Sequence, residues 1–180
     1  MYPRTKQVFD RLLALILVVV LAPLLAALAL LNVAGRGPVF VRETRVSRGR
    51  TFGLIKFNTA VGGDLTWAGR RILRPWYLDE LPQLFNILAG DISFVGPRPW
   101  PPEMVARQVA GGLDYRNVVI AGLTGTAQVT KGATGARYAD RDLEYVDVLR
   151  AGGAWRVVRF DLGILARTIG VLARREGLNY

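Results

Sequence analysis

The stretch of this chain richest in groups able to do chemistry is Arg74-Pro75-Trp76-Tyr77-Leu78-Asp79-Glu80-Leu81-Pro82-Gln83. Neighbouring carboxylates repel unless a cation lies between or beside them, so Asp79 and Glu80 together are a modest argument for a metal. Pro82 is tolerated only in the first turn of a helix, which gives Asp79 the character of an N-cap. At such a helix end a carboxylate stays ionised and a phosphate is welcome. An ionised aspartate there could ligate Mg²⁺ or attack phosphorus as a nucleophile. The same residues could equally do no more than cap a helix. In Gly90-Asp91-Ile92-Ser93-Phe94-Val95-Gly96-Pro97-Arg98-Pro99, Arg98 sits between two prolines. They restrict the backbone on either side, so the guanidinium is presented to a phosphate at little entropic cost. Structurally, the segment could also be a tight turn whose arginine caps a helix. Gly122-Leu123-Thr124-Gly125-Thr126-Ala127-Gln128-Val129 could bring backbone close to a ligand, but it matches no phosphate-loop spacing.

What is missing narrows the chemistry. The 180 residues contain no Cys and no His. Disulfides, thiolate nucleophiles, imidazole bases and zinc or haem sites on those ligands are therefore excluded. Any metal would be a hard cation on oxygen ligands, most simply Mg²⁺. The formal net charge of +10 indicates anionic partners: phosphorylated substrates, a membrane surface or nucleic acid. Arginine outnumbers lysine 21 to 3, which suits bidentate phosphate binding or a codon-biased genome and alone decides neither. Aromatic and basic residues are not interleaved as in a single-strand binder, so nucleic acid is not an expected partner.

The elements that must position these residues begin with Leu12–Leu31, a 20-residue run without a charge. As a helix it would be about 30 Å long, the thickness of a bilayer core. Pro23 lies near its middle. Arg4, Lys6 and Arg11 precede it, and Arg36, Arg42, Arg45, Arg48 and Arg50 follow. The positive-inside rule puts both flanks on the cytoplasmic side, which favours a re-entrant helix-break-helix at Pro23. A single-span anchor and a signal peptide are the competing readings. Gly35-Arg36-Gly37-Pro38 ends the segment. Val39–Val41 and Thr51–Phe57 then read as strands joined by a basic hairpin over Arg42–Arg50. Trp67–Leu73, Leu81–Leu88, Glu103–Gly111 and Tyr138–Arg150 read as helices, with Leu81, Leu84, Phe85 and Leu88 on the apolar face of the second. Phe94–Pro102 is a proline-rich ordered loop. Trp155–Arg175 places Val158, Leu162, Leu165, Ile169 and Leu172 on one face, packed on the core or lying on anionic lipid. The fold class is therefore α+β, mainly helical. Residues 1–36 form a re-entrant membrane segment, and 37–180 form a small cytosolic domain with a short β-hairpin and interfacial amphipathic helices.

Taken in order, the proline-broken apolar run, Gly-Pro-Val-Phe, Ile-Lys-Phe, Leu-Asp-Glu-Leu-Pro-Gln-Leu-Phe-Asn, Gly-Asp-Ile-Ser-Phe-Val-Gly-Pro-Arg-Pro and Leu-Thr-Gly-Thr-Ala-Gln-Val resemble the bacterial sugar transferases known as monotopic phosphoglycosyl transferases. The resemblance covers nearly the whole chain. It implies an Mg²⁺-dependent enzyme on the cytoplasmic face of the bacterial inner membrane. Such an enzyme moves a sugar 1-phosphate from a nucleotide sugar, usually a UDP-sugar, to a polyprenyl phosphate, initiating a surface glycan or glycoprotein. By position it makes Asp79 the nucleophile of an aspartyl phosphosugar intermediate and Glu80 its partner at Mg²⁺. Arg98, Arg74 and Lys56 would hold phosphate, Asp142 and Gln128 are candidates for supporting the site, and Pro23 breaks the membrane helix. Membrane lipids are further partners; self-association as a homo-oligomer is open. Asn58 stands where the family usually has a cation, and Ala121 where it usually has proline, which points to altered donor choice or reduced activity. A non-catalytic membrane-anchored basic module and an inactive homologue are the alternatives.

Overall fold

The computed structural model describes residues 3–33, 37–130 and 136–174. The boundary expected at residue 36, and Gly35 and Arg36 of the turn, lie outside them. Helix α1 (Arg4–Val33) is followed by an antiparallel hairpin, β1 (Phe40–Ser47) and β2 (Arg50–Phe57). A second, minimal hairpin pairs β3 (Ala60–Val61) with β4 (Asp64–Leu65). Tight helical turns over Gly69–Leu73, Arg74–Trp76 and Leu78–Glu80 lead into α2 (Gln83–Ala89). Then come β5 (Ser93–Val95), α3 (Pro102–Ala110), α4 (Tyr115–Val118), β6 (Gly122–Thr124), α5 (Thr126–Val129), α6 (Ala136–Ala151) and α7 (Ala154–Ala173). Strands β5 and β6 pair in parallel.

Helix α1 is the one helix among the described residues long and apolar enough to cross a membrane. Its helical conformation runs unbroken through Pro23, so the expected break is not an interruption of the helix. Proline removes one backbone donor there, yet the turns on both sides continue. One stripe of α1 packs on the rest of the protein along its whole length. Ala14, Leu17 and Leu21 join the main core with Leu84, Ile87 and Val95, while Leu25 and Leu28 join Phe57 and Leu73 in a second cluster. Both ends are also fastened by polar groups. At the start, buried Lys6 pairs with Asp161 of α7 and lies 3.5 Å from Asp10, whose carboxylate accepts from Ser93 Oγ at 2.6 Å. At the end, Asn32 Nδ2 donates to the Val39 carbonyl at 3.0 Å. The opposite stripe, including Leu12, Ile16, Val19 and Val20, is exposed.

Three local expectations change. The basic hairpin over Arg42–Arg50 forms, but its strand is longer than the Val39–Val41 expected: β1 continues to Ser47, and only Arg48 and Gly49 turn. In α2 the buried face carries Leu84, Asn86 and Ile87, and Phe85 points outward. Buried Asn86 is what ties α2 to the hairpin, accepting from Ile55 N–H and donating to Gly53 O, each at 2.9 Å. Satisfied in this way, a polar side chain takes a core position that hydrophobic spacing assigns elsewhere. On α7 the core face is Val157, Asp161, Ile164 and Val171. The row Val158, Leu162, Leu165, Ile169 and Leu172 is exposed or half-buried instead. Leu162 and Phe9 of α1 border one small cleft, so the exposed apolar surfaces of the two helices meet.

Candidate active site

Strand β2 runs out of its hairpin at Phe57, and the helical turns that follow fold back against it. Between them lies a cavity of about 530 Å³ whose lining includes Lys56, Thr59, Arg74, Asp79, Glu80 and Arg98. All five residues expected at the chemistry, Asp79, Glu80, Arg74, Lys56 and Arg98, thus share one cavity, although they come from three separate segments. Glu80 is buried and ties the cations together, with Oε1 at 3.3 Å from Arg98 and 3.8 Å from Lys56. Lys56 is also 3.4 Å from Glu43, which pairs in turn with Arg45.

Asp79 does not cap a helix. It lies in the turn Leu78–Glu80, and α2 begins only at Gln83, after Pro82, with no side-chain cap. The helix end therefore does not set its charge. Burial pushes the Asp79 carboxyl above the usual carboxylate range, the adjacent Glu80 adds to this, and Lys56 and Arg74 pull it back. Tyr77, just before it, takes a left-handed conformation at φ 54. For a non-glycine residue that is strain, held where the chain reverses to present Asp79 to the cavity.

The remaining expected residues lie elsewhere. Pro23 is in α1. Gln128 is buried in α5 and donates to Leu123 O at 3.2 Å. The glycines of its loop serve packing rather than a ligand: a Cβ at Gly122 would lie 2.1 Å from Gly96 N, and one at Gly125 2.2 Å from Gly96 O. Asp142 does not line the cavity but reaches it through one intermediary. Its carboxylate pairs with buried Arg116 and accepts from Tyr115 OH at 2.9 Å. Arg116 donates to the backbone carbonyl of Arg98 and stacks 3.9 Å from the Trp100 ring centroid. Burial pushes the Asp142 carboxyl up to about 6, with Arg116 and Tyr115 opposing.

Sequence reasoning missed Glu43, Thr59, Tyr77 and Arg116. Glu43 was within reach of a hairpin argument, since Val41 pairs with Lys56 and Glu43 follows two residues on along the same face. Thr59 accepts from Arg74 Nε at 3.0 Å, a contact between segments that no local spacing announces. Arg116 stands in no motif.

The profile of the bacterial sugar transferase family matches residues 1–175. The chain belongs to this family. It is 34% identical over 194 residues to a UDP-glucose:undecaprenyl-phosphate glucose-1-phosphate transferase of Caulobacter vibrioides, covering 91% of this chain and 68% of that protein. It is 35% identical over 150 residues to a UDP-N-acetylgalactosamine-undecaprenyl-phosphate N-acetylgalactosaminephosphotransferase of Aeromonas hydrophila, over 73% of this chain and 35% of that one. A Bacillus subtilis sugar transferase, EpsL, is 31% identical over 96% of this chain and 89% of its own length. The chain thus spans about a third of the Aeromonas relative and about two thirds of the Caulobacter one.

Proposed function

We propose that this chain transfers a sugar 1-phosphate from a UDP-sugar to a membrane polyprenyl phosphate, through a covalent intermediate on Asp79. The observation that carries the reading is the convergence of Lys56, Arg74 and Arg98 on one cavity with a half-buried aspartate. Three cations suit a diphosphate, and its relatives' names supply the donor and acceptor classes. In the first step the Asp79 carboxylate attacks the sugar-bearing phosphorus. The P–O bond to the bridging oxygen breaks, and UMP leaves with that electron pair. In the second, a polyprenyl phosphate oxygen attacks the same phosphorus and expels Asp79, giving polyprenyl-diphosphate-sugar. Arg98, steadied by Glu80 on its side chain and Arg116 on its carbonyl, would hold phosphate oxygens through both displacements.

The donor set fits magnesium. Asp79 and Glu80 are adjacent hard carboxylates; burial first and the neighbouring Glu80 second raise Asp79, so a cation beside them would favour its charged form. Among the described residues no group of three or more ligating side chains gathers. Magnesium would accordingly be held by one or two carboxylates together with substrate phosphates. When bound it would neutralise diphosphate charge.

The fold supports a membrane attachment with both ends of α1 on the cytoplasmic side. A helix standing upright across a bilayer meets a soluble domain at one end only. Here polar contacts at Lys6 and Asp10 and again at Asn32 fasten both ends to the same body. The exposed stripe of α1, continued by Leu162 and Ile169 of α7, would face lipid, which sets the cavity at the water–headgroup boundary. The reading is tested by supplying the protein with polyprenyl phosphate, Mg²⁺ and a panel of UDP-sugars and following UMP. Release with one donor is expected, and Asp79→Asn should lower it by roughly a thousandfold or more. No release with any donor favours the inactive homologue, and release indifferent to Asp79→Asn removes Asp79 from the reaction.

A further inference from the structure

The basic hairpin has a second cavity, at the end away from Asp79. There Arg48, Arg50 and Thr51 face Gly90 and Asp91 around a space of about 360 Å³. Arg48 and Gly49 both have positive φ, 51 and 70, as a two-residue hairpin turn of the primed type requires. Asparagine or glycine takes the first of these positions without strain, whereas arginine holds it against the preference of its backbone. Arg48 N–H is fixed on Val119 O at 3.2 Å. From the other side comes Arg11. Its guanidinium donates to Ala89 O at 3.4 Å and lies over Gly90, where an added Cβ would come 2.4 Å from Nη2. The φ of +86 at Gly90 and this close approach both call for glycine there.

Arg48 and Arg50 thus line the cavity from the hairpin, and the Arg11 guanidinium sits beside it at the end of α2. Against them stands one carboxylate, Asp91, which already accepts from Asn86 Nδ2 at 2.9 Å. Among the described residues none of the three arginines enters an ion pair. Nothing in the transfer reaction uses them. Arg11 is the last charge before the apolar run begins at Leu12, so the cavity lies where α1 would meet lipid headgroups. We propose that this cleft binds the phosphate of an anionic phospholipid from the leaflet that holds α1, separately from the substrate cavity. The proposal rests on α1 being membrane-embedded and not on the transfer chemistry.

Native mass spectrometry of the full chain in detergent, titrated with short-chain phosphatidylglycerol or phosphatidylcholine, tests it. One phosphatidylglycerol should bind in preference to phosphatidylcholine. Arg48→Gln/Arg50→Gln should weaken it roughly 30-fold and Arg50→Gln alone about fivefold, the single variant keeping the test readable if the double one unfolds. Arg156→Gln/Arg159→Gln on α7 should leave that affinity unchanged. Equal phosphatidylglycerol affinity in wild type and variants overturns the site. Equal loss in the α7 variant reduces it to general charge attraction, and displacement by millimolar inorganic phosphate makes the ligand a solution anion instead. If α1 is not a membrane element, the chain stays dispersed without detergent and binds neither lipid, an outcome separate from any result on UMP release.

Discussion

Asp142 reaches the candidate site only through Arg116, which grips the carbonyl of Arg98. Its carboxyl, pushed up to about 6 by burial, holds a proton in the folded protein at pH values where the unfolded chain has released it. The contribution of this group therefore makes stability fall as pH rises from about 4 to 6 and level off above. Asp142→Asn removes that slope. Melting temperatures of wild type and variant between pH 4 and 7 should show a difference that drifts across the window, and a constant difference contradicts the assignment. At this scale the sequence was most informative where residues stand close along the chain. Asp79, Glu80 and Arg74 lie within seven positions, and two prolines mark Arg98. The relay from Asp142 could not be read, because Arg116 joins it to Arg98 purely by tertiary packing.

Among the elements, the turn Gly69–Leu73 has a role its composition hides. A Cβ at Gly69 would lie 2.3 Å from Thr59 O, and Thr59 carries the hydroxyl that orients Arg74. Gly69→Ala should destabilise the protein by about 1–3 kcal/mol through overpacking and displace Arg74. Gly163→Ala on α7, where an added Cβ meets nothing, should be neutral or stabilising by up to about 1 kcal/mol. Thermal melts and UMP release of the two variants check this; equal effects would remove Gly69 from the positioning of Arg74. Helices α3 and α6 and the two strands of the main hairpin were legible in the sequence, whereas β3 to β6 lie in stretches that read as loops. The buried face of α2 was not legible, since Asn86 takes an interior position by finding hydrogen-bond partners on the hairpin. On α7 the apolar row was legible but not which way it faces, because Asp161 is held inside by Lys6. A pattern of hydrophobic residues alone cannot register that exchange.

On the scale of the whole molecule, α1 behaves as part of the core on one side and as an unpartnered apolar surface on the other. Breaking the Lys6–Asp161 pair would leave a buried charge, an expense of about 3–5 kcal/mol, so the start of α1 is held firmly. The chain has no Cys, which makes single-cysteine labelling clean. With a membrane-impermeant maleimide, Thr5→Cys and Thr44→Cys should both react in inverted vesicles and neither in intact spheroplasts. Reaction from opposite sides would establish a spanning helix. The charge flanks of the apolar run already carried this expectation. The fastening of both ends to one body is a three-dimensional fact that the flanks could only imply.

The most direct measurement is the intact mass of the protein after mixing with Mg²⁺ and its UDP-sugar donor while polyprenyl phosphate is withheld. A phosphosugar adduct should form that maps to the peptide containing Asp79, is absent in Asp79→Asn, and disappears when polyprenyl phosphate is added. Rapid turnover with no adduct at any time, or an adduct on another residue, would contradict a covalent intermediate on Asp79.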